Sequence, residues 1–298
     1  MTVEKDNILL SIIVPVYNGL SEGLRECLES IWRQGLDSNI FEVICIDDCS
    51  LDDSKKWIRA EQSRHTNLRL VENKVNVRQG GARNAGIREA VGKYLMFIDQ
   101  DDFYADGALC KVRDFIMGAD LDTLFCDSVY CFKGCLGTKL QLDFKHQYVM
   151  SGEEFIKKNG YAYAPWRFVV NREFYNSYDI KFVENCRIED VDWSFKLIYY
   201  AKKMQYQPIL LIYYIKSDTG TMDTMHRNYE TLLANVVAAN RTYDLVGSLY
   251  KDSSVKDRLA DVADSFYNRS CRSMLGFGCH IDKKLHIISM IPEFETKC

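Results

Sequence analysis

The chain of 298 residues carries a net charge of −4, and 47% of its residues are hydrophobic and 27% charged. These values are ordinary for a soluble globular protein and argue against nonspecific binding of nucleic acid along the whole surface. No apolar run approaches the ~18 residues that a membrane span needs. The sequence therefore predicts one large domain, or a core domain with an appendage.

The amino-terminal segment and the cysteines predict a reducing, cytoplasmic setting. Residues 1–7 carry both charge signs, and the apolar run from Ile8 is broken by a serine and a proline, so we expect no signal peptide. The eleven cysteines are scattered and odd in number, which favours free thiols. Cys131 and Cys135 lack a second Cys or His pair at zinc-site spacing, so a zinc site is not expected.

The first hundred residues predict strands and helices in alternation. Continuous apolar runs such as Ile8–Val16 are typical of strands that are buried on both faces of a parallel sheet. Apolar residues then recur at helical spacing from Leu24, and Ser50 followed by Asp53 resembles a capping box at the start of the next helix. The predicted strands are 8–16, 41–46, 68–71 and 94–98, and the helices between them begin near residues 24, 50 and 78.

This alternation predicts a parallel sheet with helices on both faces, in which ligands bind outside the carboxyl ends of the strands. Three features then meet at one edge of the sheet: the turn at Tyr17, the pair Asp47 and Asp48, and the acidic cluster after the fourth strand. That cluster places three carboxylates within the four residues Asp99–Asp102. Carboxylates at such spacing repel one another, and a divalent cation with a preference for oxygen ligands would relieve the repulsion.

The second half of the chain gives weaker patterns. The predicted elements are a helix over 106–117, a strand over 121–132, short helices from 151 and over 172–178, a helix after 187–190, a strand over 209–215 and two helices from 227 onward that break near 252–254. The polar segment Lys216–His226 predicts a mobile loop. We expect a first domain over 1–226, with halves 1–115 and 116–226, and a helical extension over 227–298.

Five sequence blocks occur in the order and spacing of the family 2 glycosyltransferases, and the chain resembles that family. The blocks are Ser11–Asn18, Val43–Ser50 with Asp53 and Ser54, Gly81–Gly86, Gly92–Asp102 and Glu189–Asp190. The likeness is strong over residues 8–115, fair to about 215 and absent beyond about 226. It implies a GT-A fold, which is a Rossmann-like, mainly parallel sheet flanked by helices, here with a C-terminal helical extension.

The resemblance implies a nucleotide pocket at the ends of the first two strands. The wall against which the base packs would be formed by Pro15, Val16 and Tyr17. Asp48 would accept a hydrogen bond from the base, which for uracil is its N3–H, and Asp47 is the alternative. Arg78 lies where some members place an arginine near the base and the phosphates.

The resemblance also implies a metal and a catalytic base. Asp101 would ligate Mn²⁺ or Mg²⁺, and Asp99 would orient the ribose or the metal. Gln100, between them, would belong to the same donor site. His226 would either complete the metal shell or lie on the surface. Asp190 would be the general base for the acceptor hydroxyl, although a carboxylate at a helix N-terminus is also favoured by the helix dipole alone.

The implied reaction is transfer of one sugar, with inversion, from a nucleotide sugar, expected to be UDP-linked, to a saccharide acceptor in bacterial surface polysaccharide synthesis. The acceptor could be lipid-linked, which would bring the enzyme to the inner face of the membrane, and the extension could pack on the core or form a dimer interface. A sugar nucleotidyltransferase would need a basic, glycine-rich loop after the first strand, which is missing. An inactive nucleotide-sugar-binding module would lack Asp101 or Asp190.

Three further features keep two interpretations each. Trp166 would stack on an acceptor sugar or pack in the core. Arg83 would serve the site or simply pair with a neighbouring acid. The segment Lys216–His226 would close over the diphosphate as a lid or remain an ordinary polar loop.

Overall fold

The structure is a computed structural model that describes residues 8–132, 135–139, 145–161, 163–216 and 229–276, together with residues 287, 289 and 290. The strands are β1 (Leu10–Val16), β2 (Phe41–Asp47), β3 (Leu68–Glu72), β4 (Tyr94–Phe97), β5 (Phe103–Tyr104), β6 (Thr123–Phe132), β7 (Cys135–Lys139), β8 (Phe168–Asn171) and β9 (Met204–Lys216). The helices are α1 (Leu24–Trp32), α2 (Ser54–Glu61), α3 (Arg78–Glu89), α4 (Ala108–Met117), α5 (Gly152–Asn159), α6 (Arg172–Asn176), α7 (Asp190–Tyr200), α8 (Tyr229–Leu249) and α9 (Lys256–Gly276).

One mixed sheet runs through the described residues in the order β3-β2-β1-β4-β8-β6-β9-β5, with β7 paired to β6. The strands β3, β2, β1 and β4 are parallel to one another. Beyond β4, the antiparallel strand β8 separates β4 from β6. The predicted α/β class, with a mainly parallel first half flanked by helices, is confirmed.

Several local predictions differ from the structure. The strands β5 and β8 were not expected, and β9 begins at Met204 rather than at residue 209. The capping box at Ser50 was wrong, because α2 begins at Ser54. The Ser50 hydroxyl accepts a hydrogen bond from the Asn18 amide instead, at 3.0 Å. Ser50 therefore joins two turns at the carboxyl edge of the sheet rather than beginning a helix.

Each face of the sheet carries its own hydrophobic core. On one face, α1, α2 and α4 contribute Leu24, Ile58 and Leu109, which are fully buried against the apolar residues of β1 and β2. On the other face, buried residues of α3, α5, α7, α8 and α9 form a second core. The sheet is therefore covered on both sides, as the continuous apolar strands predicted.

Two glycines of α3 allow the close packing that shapes the carboxyl edge. A Cβ atom on Gly86 would lie 2.6 Å from side-chain atoms of Ile13 and Ile46, so α3 can lie directly on β1 and β2. A Cβ atom on Gly80 would lie 2.3 Å from the carbonyl oxygen of Val183 and 3.1 Å from Glu189. Gly80 therefore lets the segment that precedes α7 approach the start of α3.

The C-terminal region is helical, as expected, and packs on the core. Buried residues of α8, including Leu232, Val236 and Ala239, share a hydrophobic core with α7, and α9 packs along α8. The boundary at residues 226 and 227 falls outside the described residues, so the domain division stays a prediction. None of the helices in the described ranges combines the length and apolar character that crossing a bilayer requires.

Candidate active site

The carboxyl ends of β1, β2 and β4 bring together the three features that the sequence placed at one edge. Val16, the last residue of β1, pairs in register with Asp47, the last residue of β2. The acidic cluster follows β4, which pairs with the other side of β1. The loop before α7 ends at Glu189, next to Asp190, and reaches the same place through its approach to α3.

The turns after β1 and β2 are bonded to each other. The Asn18 side-chain oxygen accepts from the Leu51 amide at 2.7 Å, which complements the bond from the Asn18 amide to Ser50. Asn18, Cys49 and Arg78 all have left-handed backbone conformations, with φ of 50°, 64° and 61°. Such conformations are uncommon outside glycine and cluster at functional sites. The backbone around this pocket is therefore held in a conformation that has a cost in stability.

Asp48 is buried and bound by its own chain. Its carboxylate accepts from the Val77 amide at 2.9 and 3.1 Å and from the Asn73 side-chain amide at 2.9 Å. The Asn76 side chain donates to the Asp48 carbonyl oxygen at 3.0 Å. Asp48 thus fixes the loop that leads from β3 into α3.

Asp47, the alternative partner for the base, is bound less completely. Its Oδ2 atom accepts from the Ser50 amide at 3.2 Å and lies 3.8 Å from the Lys55 ammonium. Its Oδ1 atom is buried and has no hydrogen-bond partner among the described residues. Of the two carboxylates, Asp47 is therefore the one with an unsatisfied buried oxygen among the described residues.

Gln100 holds the turn after β1. Its side-chain oxygen accepts from the Tyr17 amide, and its side-chain nitrogen donates to the Tyr17 carbonyl, both at 2.9 Å. Of the predicted wall, Pro15 and Val16 are buried within β1, while Tyr17 is 45% exposed and can offer its ring to a ligand. Gln100 therefore acts on the site by orienting Tyr17. A Cβ atom on Gly19 would lie 2.7 Å from the Gln100 oxygen, so this arrangement requires glycine there.

Arg78 is the first residue of α3 and is exposed. Its amide donates to the Asn76 side-chain oxygen at 3.2 Å, and its neighbour Val77 donates to Asp48. Arg78 therefore lies beside the loop that Asp48 holds, within the region where the sequence placed it.

A buried arginine connects the acidic cluster to the loop before α7. The Arg83 guanidinium donates to Asp99 Oδ1 and to Glu189 Oε1, each at 2.6 Å, and its side chain is 2% exposed. Although burial opposes it, the charges of Asp99 and Glu189 raise the pKa of Arg83, so it stays positively charged. The expectation that Arg83 pairs with an acid is confirmed, and it pairs with two from distant parts of the chain.

The other two acids of the cluster are in an unfavourable environment for a charge. Burial, reinforced by Asp99, raises the pKa of Asp101 to about 7. Burial, together with Asp101 and Asp99, holds the pKa of Asp102 well above its ordinary value. Asp102 Oδ1 accepts from the Ile215 amide at 2.8 Å, which anchors β9, while its Oδ2 is buried without a partner in the described chain. Ionising both acids therefore requires a nearby positive charge.

This environment fits a divalent cation at Asp101. Within the described ranges, no group of three or more Asp, Glu, His or Cys side chains is arranged to hold an ion. Asp99 is already paired with Arg83, which makes Asp101 the carboxylate best placed to be a ligand. Mg²⁺ and Mn²⁺ are often held by one or two carboxylates together with phosphate oxygens and water. His226, and the lid predicted over Lys216–His226 beyond its first residue, lie outside the described residues.

Asp190 begins α7, directly after Glu189. Burial, reinforced by the neighbouring Glu189, raises the pKa of Asp190 to about 8. A carboxylate with a pKa near the working pH is suited to take a proton and to give it up again. The chain Asp99–Arg83–Glu189 therefore links the acidic cluster to the residue that the sequence proposed as the base.

Trp166 packs in the interior. It is 8% exposed and lies face to face with Tyr214, with ring centroids 5.5 Å apart and 22° between the planes. Tyr130, at 36% exposure, meets Tyr214 edge to face at 5.3 Å. Trp166 is therefore a core residue, and Tyr130 is the more exposed of the two rings that pack on Tyr214.

Sequence reasoning missed two contributions to this site. Glu189 was quoted only as the neighbour of Asp190, yet it binds Arg83 and so links two regions of the chain. Asp102 was treated as one acid of the cluster, yet it binds the backbone of β9. The adjacent acidic pair was visible in the sequence, but its partners depend on folding.

Comparison with known proteins identifies relatives of this arrangement. The family described as "Glycosyl transferase family 2" matches residues 11–181. An uncharacterized glycosyltransferase YibD of Escherichia coli is 26% identical over 73% of this chain and 64% of its own length. A poly(ribitol-phosphate) beta-glucosyltransferase of Bacillus spizizenii is 36% identical over 36% of this chain and 17% of its own length. The chain thus spans less than two thirds of either relative.

Solved structures show the same fold. TarS 1-349 of S. aureus, in complex with UDP-GlcNAc, superposes with a TM-score of 0.74 at 21% identity, over 97% of this chain and 81% of that one. The mannosyltransferase PcManGT from Pyrobaculum calidifontis, in complex with GDP-Man and Mn²⁺, gives a TM-score of 0.55 at 15% identity, over 96% of this chain and 82% of that one. At these identities the likeness establishes the fold.

Proposed function

The chain belongs to glycosyl transferase family 2, and we propose that it transfers one sugar, with inversion, from a UDP-sugar to an acceptor hydroxyl. The donor would bind at the carboxyl ends of β1, β2 and β4. Tyr17 would pack against the base, and Asp48 or Asp47 would accept its hydrogen bond. The UDP-GlcNAc bound to TarS supports UDP, and the GDP-Man bound to PcManGT keeps guanine as the alternative.

One observation carries this proposal: Arg83 bridges the acidic cluster and Glu189, the residue directly before Asp190. A transfer enzyme needs both the leaving diphosphate and the attacking hydroxyl at one sugar carbon. The Arg83 bridge supports such an arrangement, because it joins the acidic cluster proposed to hold the cation to Glu189, the neighbour of the proposed base. Neither group would serve this reaction alone.

On the donor side, the departing diphosphate gains negative charge as the bond between the anomeric carbon and the phosphate oxygen breaks. A divalent cation held by Asp101, when bound, would supply positive charge that offsets this negative charge. Asp99, which accepts a hydrogen bond from Arg83, would orient the ribose or the metal. Arg78, exposed at the start of α3, would approach the phosphates from the other side.

On the acceptor side, Asp190 would accept the proton of the attacking hydroxyl as its oxygen bonds to the anomeric carbon. Attack from the face opposite the diphosphate inverts that carbon, and the proton leaves later to water. A positioned general base contributes roughly 10²–10⁴-fold to the rate. A pKa of about 8 at Asp190 predicts that activity rises with pH through the range from 6 to 8.

The biological setting is part of the proposal. The Bacillus spizizenii relative is named as a poly(ribitol-phosphate) glucosyltransferase, and the S. aureus TarS sequences that match carry the corresponding N-acetylglucosaminyltransferase name. These names support an acceptor that belongs to a bacterial surface polymer. A lipid-linked acceptor would add a contact with the inner face of the membrane.

The test separates binding from chemistry. UDP is titrated into the protein by calorimetry with and without Mn²⁺, and UDP-Glc, UDP-GlcNAc and GDP-Man are screened for release of nucleoside diphosphate in the presence of candidate acceptors. Asp101→Asn should abolish the gain in affinity that Mn²⁺ gives while keeping weak metal-free binding. Asp190→Asn should keep Mn²⁺-dependent binding and lose roughly 10²–10⁴-fold in turnover.

Asp179→Asn is the matched control, because Asp179 is exposed and pairs only with Lys181 in the described chain. It should leave both binding and turnover unchanged. Mn²⁺-independent binding without turnover of any donor would favour an inactive binding module. A product that keeps the anomeric configuration of the donor, seen by NMR, would contradict inversion.

A further inference from the structure

Asp190 lies at a junction whose backbone is not held by regular secondary structure. Residues 181–189, which precede α7, form turns and irregular chain, and Asn185 within them has a left-handed φ of 57°. Glu189, the residue at the helix start, makes no side-chain capping bond. The orientation of Asp190 therefore depends on the contacts that neighbouring elements make with the residues just before and just after it.

An arginine from the C-terminal extension binds on both sides of Asp190. In α8, the guanidinium of Arg241 donates to the carbonyl oxygen of Ile188 and to the carboxylate of Asp192, with bonds to Asp192 of 2.8, 3.2 and 3.3 Å. Ile188 is two residues before Asp190, and Asp192 is two residues after it. Asp192 is 6% exposed, so this pair is largely shielded from water. One rigid, planar group thus spans the junction.

The extension is anchored firmly enough to act as a support. Leu232, Val236 and Ala239 of α8 are fully buried in the core that α8 shares with α7. A second arginine, Arg187, joins the same segment to the start of α8 through Glu230 at 3.1 Å and Thr231 at 3.3 Å. The segment before α7 is therefore attached to α8 at two points.

We propose that Arg241 is a positioning residue for the transfer reaction, so that helix α8 belongs to the catalytic apparatus although it lies outside the residues that the family match covers. Arg83, in α3, binds Glu189 next to the proposed donor site. Arg241, in α8, binds Ile188 and Asp192. Between them they fix residues 188–192, the five-residue stretch that carries Asp190. This inference rests on the proposed function for the role of Asp190, while the support itself is a matter of structure.

The experiment compares three variants with the unmodified full chain. Arg241→Gln removes the charge and the paired donors, and Arg241→Lys keeps a charge that cannot bind both sides at once. Arg258→Gln is the matched control, because Arg258 of α9 also binds backbone carbonyls, those of Ile156 at 2.6 Å and Lys157 at 3.2 Å in α5. Amide hydrogen exchange, melting temperature, UDP affinity and steady-state turnover of UDP-GlcNAc are measured for each.

In Arg241→Gln we expect about tenfold faster exchange of the amides of residues 186–192, with the amides of α8 unchanged. Turnover should fall about 10–100-fold at an unchanged KM for UDP-GlcNAc and unchanged UDP affinity, because a displaced base lowers the rate without touching the donor pocket. In Arg241→Lys both effects, the faster amide exchange and the lower turnover, should be smaller than in Arg241→Gln. Arg258→Gln should exchange and turn over normally.

Unchanged exchange at residues 186–192 in a folded Arg241→Gln variant would overturn the proposal. So would a loss of turnover that Arg258→Gln shares, since that would mark a general loss of stability. A loss that appears as a raised KM would also overturn it, since that would mark weaker binding of the donor. Failure of the unmodified protein to consume any nucleotide sugar would instead defeat the proposed function. In that event the exchange measurement still decides whether Arg241 holds the junction.

Discussion

Buried carboxylates lie near both ends of the parallel strands, and the two ends differ in how completely the protein binds and neutralises them. At the amino end, Glu42 of β2 accepts from the Ser11 hydroxyl at 2.6 Å, the Val91 amide at 2.7 Å and the Arg69 guanidinium at 3.1 Å. At the carboxyl end, Asp101 and Asp102 are crowded together and their pKa values are raised. The chain can therefore satisfy a buried acid fully, and at the carboxyl end it does so for Asp48 but not for Asp102, whose Oδ2 has no partner among the described residues.

This difference indicates that the amino end stabilises the sheet and that the carboxyl end is suited to binding a ligand. The network around Glu42 joins β1, β2, β3 and the loop before β4, and its polar groups are satisfied by protein alone. The carboxyl end combines crowded acids with left-handed residues at Asn18, Cys49 and Arg78. Local departures from stable arrangements are expected where a site must bind a ligand, because stability and function make opposite demands there.

The largest expected effect on stability lies at the amino end. Glu42→Ala leaves the Val91 amide and the Ser11 hydroxyl without their acceptor, and it should lower the free energy of unfolding by about 2–4 kcal/mol. Urea denaturation measures the loss, and UDP affinity at the opposite end should not change. Glu42→Gln, which keeps one acceptor oxygen, should cost clearly less. Equal losses in the two variants would mean that the hydrogen bonds of Glu42 are not what stabilises this end.

The second effect is a pH dependence of stability at the carboxyl end. In metal-free buffer the folded protein keeps a proton on Asp101 up to about pH 7, whereas the unfolded chain releases it near the ordinary value of 3.8. Between these values the unfolded state binds fewer protons, so the contribution of Asp101 to the free energy of unfolding falls as the pH rises. Asp101→Asn removes this fall. At pH 8 its free energy of unfolding should exceed that of the unmodified protein by about 2 kcal/mol, a value limited by partial exposure of the charge to water. At pH 4 the two proteins should be equally stable, because Asp101 is then protonated in the folded state.

Thermal melts at pH 4, 6 and 8 give the comparison directly. Asp179→Asn serves as the control of opposite sign, because Lys181 lowers the pKa of Asp179 and the exposed pair cannot produce a fall in stability with rising pH. If the Asp101→Asn protein loses as much stability between pH 4 and 8 as the unmodified one, the acids at this end are not under the strain described.

The smallest effect tests backbone strain at the same end. Cys49→Gly relieves a left-handed φ of 64° and should raise the free energy of unfolding by up to about 1 kcal/mol, reduced by the lost bond from its thiol to the Asn73 carbonyl. Cys110→Gly makes the same change inside α4, where the thiol also binds a carbonyl, that of Gln34. It should lower the free energy by about 1 kcal/mol. If urea denaturation shows that the free energy of unfolding changes in the same direction in both variants, the backbone at Cys49 is not strained.

The sequence predicted the parallel half of the fold well, because long apolar runs such as β1 and β2 record their burial on both faces. It missed β8 and β5, which have four and two residues. Runs that short carry no periodicity, and their strand character comes from pairing with β4, β6 and β9. Ser50 was misread for a related reason: its local pattern fits a cap, but the Asn18 amide reaches it from another strand end.

For the site, the sequence identified the acids but not their environment. Which acid is paired follows from Arg83, and Arg83 reaches Glu189 only because Gly80 lets the segment at Val183 approach α3. The support from Arg241 left no local signal either, since an arginine in a helix after residue 226 matches no motif. Contacts between residues distant in the chain therefore decide the electrostatics that the motifs only suggest.

The amide pair between Gln100 and Tyr17 has a consequence for protein engineering. Gln100, in the middle of the acidic motif, binds both the amide and the carbonyl of Tyr17, and a Cβ atom on Gly19 would lie 2.7 Å from the Gln100 side-chain oxygen. Because these bonds go to the backbone of Tyr17, changes at Gln100 or Gly19 should move the Tyr17 ring, whereas a change of the Tyr17 side chain alone leaves the bonds in place. A library that varies Tyr17 alone would therefore test different side chains at a backbone position that Gln100 fixes.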